Sequence, residues 1–235
     1  MDHEELTTSR HRHGDQFREV TTADALPWLE ARPLLPGCSF VTSLPDFSEF
    51  PSLSLEEWKE WFRRAAGLVL RSCPDTGVAI FYQTDIKVDG TWVDKAFLIQ
   101  QAAEASGHAL LWHKLVCKAP AGQATFGRPG YSHLLCFSRE LRVPVGASTA
   151  DVLPQAGEVT WTRGMGVEAC RVACRFILEQ TSTRTVVDPF CGHGTVLAVA
   201  NSVGLDAVGV ELGGKRARKA RALRLTAEGT LVLGE

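Results

Sequence analysis

The residues best suited to chemistry lie between Val186 and Glu211. The run Val186-Val187-Asp188-Pro189-Phe190-Cys191-Gly192-His193-Gly194-Thr195 joins a β-branched stretch to an acid, then to a turn with two glycines, then to a helix of small residues. Sixteen residues after Thr195, the apolar stretch Ala207-Val208-Gly209-Val210 ends in a second acid, Glu211. Glycines let a ligand lie against bare backbone and permit the turn that such an approach needs. The helix that follows offers unpaired N–H groups at its start. A carboxylate closing the adjacent strand can accept from both hydroxyls of a ribose. These features make a cradle for a nucleoside cofactor. The spacing is not G-x-G-x-x-G, and the absence of G-K-[ST] argues against a triphosphate loop.

A second candidate is Ser43-Leu44-Pro45-Asp46, which follows the apolar strand Ser39-Phe40-Val41-Thr42. Taken alone it reads as a strand-ending turn.

The elements that must position these residues follow from periodicity and stop signals. Strands are expected at 17–22, 38–42, 77–82, 110–117, 132–137, 186–188 and 207–211. Helices are expected around Pro27-Trp28-Leu29, after the cap Ser54 with Trp58, Trp61, Phe62, Ala65 and Leu68 at helical spacing, over 93–105, over 165–180, over 195–203, and in a basic final segment. The alternation predicts an α/β fold whose mostly parallel sheet carries helices on both faces. A chain of 235 residues, 45% hydrophobic, suits one such domain. The reading is a flexible arm over 1–14 and a single domain over 15–235.

No apolar run reaches the ~18 residues of a membrane span, and the polar start Met1-Asp2-His3-Glu4-Glu5 is no secretory signal. The seven cysteines form no C-x-x-C pair and read as free thiols in a reducing, intracellular compartment, cytoplasm or nucleus; no metal site is expected. The net charge of −2 shows no basic footprint. Two local clusters stand out: Arg10, Arg12 and Arg18 with His11 and His13, and Lys215, Arg216, Arg218, Lys219, Arg221 and Arg224. Each reads equally as a solvated face or as a phosphate contact.

D-P-F-C-G-H-G-T followed by G-V-E-L resembles motif I and its acidic partner in S-adenosylmethionine-dependent methyltransferases, in the D-P-F-x-G-[ST]-G-T form of DNA and RNA amino-methyltransferases. The resemblance implies a Rossmann-like class I fold of seven strands with S-adenosyl-L-methionine as cofactor. It gives Asp188, Pro189, Phe190, Cys191, Gly192, Gly194 and Glu211 to the cofactor, with Thr195 and Leu212 beside them; His193 stands where the family usually has Ser or Asn. The family's second signature, [DNS]-P-P-[YFW], aims the lone pair of a target amine at the methyl group by positioning and local electrostatics. Ser43, Leu44, Pro45 and Asp46 match it in part: Ser43 and Pro45 agree, Leu44 replaces a proline, and Asp46 replaces the aromatic. Phe47 or Phe50 is then expected to supply the stacking surface, and Asp46 to bond the target's edge or accept its proton.

The order of the motifs resembles the circularly permuted group of amino-methyltransferases. The strand ending at Asp24 becomes the family's third, 39–43 the fourth, 78–82 the fifth, 110–117 and 132–137 the sixth and seventh, 186–188 the first and 207–211 the second. Asp24 then corresponds to the acid on the adenine amino group. Gly164, Met165 and Gly166, within Thr162 to Ala169, lie beside the methionine end.

The chain has no room for an added target-recognition domain, which favours recognition by shape. The expected substrate is an exocyclic amine, guanine N2 or adenine N6, in transfer or ribosomal RNA, with Lys118, Phe126, Arg128 and Tyr131 at the lip of the base pocket. An accessory protein subunit for RNA binding or activation is a further expected partner; a membrane is not. The alternatives are a DNA adenine or cytosine amino-methyltransferase, a cofactor-binding subunit that needs a partner for activity, and a protein amide-methylating enzyme.

Overall fold

The computed structural model describes residues 7–234. In chain order they form β1 (Thr7–His13), β2 (Gln16–Thr22), α1 (Ala25–Glu30), β3 (Cys38–Thr42), α2 (Leu55–Ser72), β4 (Ala79–Gln83), β5 (Ile86–Val88), β6 (Thr91–Val93), α3 (Lys95–Ala105), β7 (Ala109–Cys117), β8 (Tyr131–Ser138), β9 (Val152–Leu153), α4 (Val167–Gln180), β10 (Thr185–Asp188), α5 (Thr195–Ser202), β11 (Asp206–Glu211), α6 (Gly214–Ala222), β12 (Leu223–Leu225) and β13 (Leu231–Leu233).

The main sheet has nine strands in the order β1-β2-β11-β10-β3-β4-β8-β7-β9. The inner strands β2, β11, β10, β3 and β4 are parallel, while β8 runs antiparallel to β4 and to β7. The central strands are apolar on both sides because both faces are covered. Phe40, Ala79, Phe81 and Val187 pack with α1, α2 and α3 on one face. Val41, Ile80, Tyr82 and Val186 pack with α4, α5 and α6 on the other. Helix α5 is buried along nearly its whole length, which explains its small apolar sequence. Helix α2 begins in a capping box: the Ser54 and Glu57 side chains each take the other's backbone N–H, at 3.3 and 2.8 Å.

The sheet differs from the expected seven strands because β1 and β9 extend its two edges. Residues 7–13, expected within a flexible arm, pair antiparallel with β2 across the turn at Gly14; residues 1–6 of that arm lie outside the described residues. Arg18, placed in a surface basic cluster by sequence, is 1% exposed. It donates to Asn201 Oδ1 at 2.8 Å and to the carbonyls of Ala220 and Leu223, so it ties β2 to the end of α6. The final helix stops at Ala222 and Arg224 lies on β12. All seven cysteines are free. No helix of the described residues is long and apolar enough to cross a membrane.

Candidate functional site

At the carboxyl edge of the sheet, β10 and β3 lie side by side in parallel. The chain leaves β10 for α5 on one face and leaves β3 for α2 on the other. Such a reversal opens a crevice above the strand ends, where open α/β sheets take ligands. A cavity of about 290 Å³ occupies it. The residues after Asp188 and after Thr42, far apart in sequence, line the same space.

On the β10 side, Asp188 is buried and accepts from Thr42 Oγ1 at 2.7 Å and from the Phe190 N–H at 3.1 Å. Burial pushes its carboxyl up to about 7, with the nearby Glu211 charge adding to the rise and these two hydrogen bonds opposing it. Glu211 ends the adjacent strand and is also buried. Its carboxylate accepts from the N–H groups of Gly192 at 3.1 Å and Gly213 at 2.7 Å and pairs with Arg216 at 2.8 Å. Gly192 lines the cavity at φ +54°, and a Cβ there would meet no protein atom within 4 Å. Bare backbone, a fixed acid and an aromatic wall make a donor set that fits a nucleoside cofactor. That wall is Phe190, Trp61 and Phe50, with successive ring centroids 6.1 and 4.4 Å apart. Asp24 lines the same cavity and is exposed; its side chain caps α1 through the Leu26 N–H at 3.0 Å. Cys191 is buried, which holds its thiol protonated and makes it a wall rather than a nucleophile.

Ser43, Leu44, Pro45 and Asp46 all border the cavity from the β3 side. Among the described residues, no hydrogen bond occupies the Ser43 hydroxyl. Asp46 is buried against two cations: Arg128 at 2.6 Å and Lys95 Nζ at 3.5 Å. Burial alone would raise its carboxyl, but Lys95 and Arg128 outweigh it and hold the group below the usual aspartate value. Lys95 is 2% exposed and its ammonium is pushed down by burial, with Asp46 opposing.

The cavity also gathers the expected Met165, Gly164, Pro189, His193, Thr195, Leu212, Lys118 and Arg128. Several expected residues lie elsewhere. Gly194 faces α6 and does not line the cavity: at φ +87° its added Cβ would sit 2.7 Å from Ala220 Cα, so this glycine permits close helix packing. Gly166 starts α4 pressed on Ala156, where a Cβ would lie 2.1 Å from the carbonyl oxygen. Phe47 turns into the core against Trp58, so of the two phenylalanines it is Phe50 that borders the cavity. Phe126 is 96% exposed, and Tyr131 packs edge-on to His133 outside the cavity. Sequence reasoning missed Lys95, Trp61, Gln83 and Thr84. Lys95 follows the helix cap Asp94, a placement that carries no mark of its burial.

The fold is the Rossmann-like one shared by methyltransferases of known structure. A protein of Thermus thermophilus described as a putative DNA modification methylase, solved with S-adenosyl-L-methionine, matches with a TM-score of 0.67 and 19% identity, over 86% of this chain and 92% of that one. The cytosine-N4-specific PvuII DNA methyltransferase matches at 0.66 and 15%, over 86% and 84%. The M1.HpyAVI complex with S-adenosylmethionine matches at 0.56 and 14%, over 87% and 97%. No protein-family model and no curated protein matches the chain.

Proposed function

We propose that the protein is an S-adenosylmethionine-dependent N-methyltransferase acting on an exocyclic amino group of a nucleic-acid base, and that the nucleic acid is DNA. The observation that carries this reading is the meeting of the glycine cradle and Ser43–Asp46 in one cavity at the β10/β3 reversal. In this reading Glu211 takes ribose hydroxyls, Asp24 the adenine edge, and Phe190 the cofactor's flat surface. The cofactor supplies an electrophilic methyl group. The free Ser43 hydroxyl is an acceptor for the target N–H, which turns the nitrogen lone pair toward that methyl. Asp46, committed to Lys95 and Arg128, is a fixed element of the pocket rather than a proton acceptor.

The reading also takes the chain as circularly permuted. With the strand numbers of the resemblance, β2-β11-β10-β3-β4-β8-β7 reads third, second, first, fourth, fifth, seventh, sixth, a doubly wound order that reverses between the first strand and the fourth. The sequence-based expectation of RNA rests on the length of the chain. Size does not discriminate, however: this chain spans 92% and 84% of two neighbours described as DNA enzymes.

Transfer of tritiated methyl groups to DNA, with RNA and protein in parallel, tests the proposal. Label in DNA is the expected result; label in RNA alone restores the other nucleic acid, and label only in protein overturns the reading.

A further inference from the structure

The cavity's lining charges are unevenly spread. Asp24, Asp188 and Glu211 stand at the cradle with Arg216 paired to Glu211, while Lys95, Lys118, Arg128 and Arg163 stand at the Asp46 end. These four cations outnumber the buried Asp46 carboxylate there. Of the other nearby acids, Glu49 turns its carboxylate onto the Asp46 N–H at 3.0 Å and toward Arg216 at 3.9 Å, and Asp85 accepts from the Lys95 N–H at 2.9 Å and lies 3.0 Å from His133 Nε2. Lys118 reaches only the Thr84 hydroxyl, at 3.5 Å, and among the described residues has no carboxylate partner. Partial desolvation and the Arg128 charge lower its ammonium, with Asp46 opposing, so an added anion would favour the charged form. Gln83, next in sequence to Thr84 and 1% exposed, lines the same cavity with its Nε2 lacking any hydrogen-bond partner among the described residues. An unpaired buried amide donor is costly unless something accepts from it.

From this arrangement we infer that the target end of the cavity is an anion subsite: Lys118, Arg128 and the Gln83 amide take a phosphate or carboxylate carried next to the amine to be methylated. The subsite occupies the place where an aromatic residue would stack a neutral base. The Lys95–Asp46 pair is its rigid floor, and it orients Arg128 from below. A phosphate would come from the target nucleotide itself; a carboxylate would come from a base already bearing an acidic substituent. This inference rests on the methyltransferase reading only for the identity of the amine; the anion subsite is testable without it.

The test uses the full chain and thermal unfolding. Inorganic phosphate and succinate are titrated separately, against chloride at equal ionic strength, into the wild type, Lys118→Met and Arg128→Met. Both side chains are partly exposed, so the variants are expected to fold. Phosphate or succinate is expected to raise the wild-type midpoint, with apparent affinity about tenfold or more weaker in each variant, since a charge-assisted contact is lost. The stronger of the two anions tells a nucleotide phosphate from a base-borne carboxylate. A wild type that responds to neither anion beyond chloride, or variants that respond like the wild type, overturns the subsite. S-adenosylhomocysteine titrated into the same three proteins is expected to bind them equally. Its failure to bind wild type would count against the methyltransferase reading and leave the anion result standing by itself.

Discussion

Asp188 shows how one buried carboxyl ties the cofactor cradle to pH. Its value is raised from 3.8 to about 7, so the folded protein binds that proton more tightly than the unfolded chain does. Its contribution to stability is full at low pH, is lost as pH rises through that window, and is level above it. Asp188→Asn is therefore expected to flatten this part of the pH–stability profile, measured by thermal melts on either side of the window. A cationic cofactor favours the ionised form, so its binding is expected to tighten as pH rises toward and past about 7. The Asp46–Lys95 pair obeys a different rule. Both partners are buried, and removing Asp46 alone strands an ammonium, a loss of about 3–5 kcal/mol. Asp46→Leu combined with Lys95→Met is expected to cost less than the two single changes summed, in a urea-unfolding cycle. Asp46 was visible in the sequence as a departure from an aromatic position. Its reason was not, because Lys95 is distant in sequence and is brought under it only by the α3 packing.

Among the elements, strands buried on both faces and helices with clear caps were the legible ones. β3 occupies the residues expected of it, and α2 begins directly after Ser54. Ser54→Ala is expected to cost about 1 kcal/mol, read from denaturant midpoints, because it opens the capping box. The β5–β6 hairpin was overlooked although Asp89-Gly90 turns with φ +48° and +80° at its tip, the pairing that two-residue hairpins favour. Its strands are only three residues each, too short for alternation to register. The β1–β2 hairpin was missed for another reason. The edge strand Thr7–His13 is polar and reads as an arm, yet it is held by pairing along its full length. Gly194 has a packing role that the sequence did not show: where an ordinary helical Gly→Ala change stabilises, Gly194→Ala is expected to destabilise the fold by about 1 kcal/mol or more, since its φ is +87° and backbone of α6 blocks the Cβ. A denaturation curve checks it.

For the molecule as a whole, sequence order concealed the spatial plan until the strands were numbered by position in the sheet. Ser43–Asp46 comes early in the chain and follows the middle strand of the sheet, and the glycine turn comes late yet follows the strand next to it. The lip of the pocket was legible only in part, as Lys118 and Arg128 rather than Phe126 and Tyr131, because loop side chains are placed by packing that no local pattern records. With a net charge of −2 and few cations at the cavity, nucleic-acid affinity is expected to depend weakly on salt. A log–log slope of about −2 to −3 corresponds to two or three phosphate contacts, and fluorescence anisotropy across a salt series measures it. The central claim is that the crevice above β10 and β3 holds S-adenosylmethionine through Glu211. Calorimetric titration of the cofactor into the wild type and into Glu211→Gln tests it most directly. One site is expected in the wild type, with affinity weakened about tenfold or more in the variant through loss of a charged acceptor. Equal affinity in the two proteins, or no binding to the wild type, would contradict it.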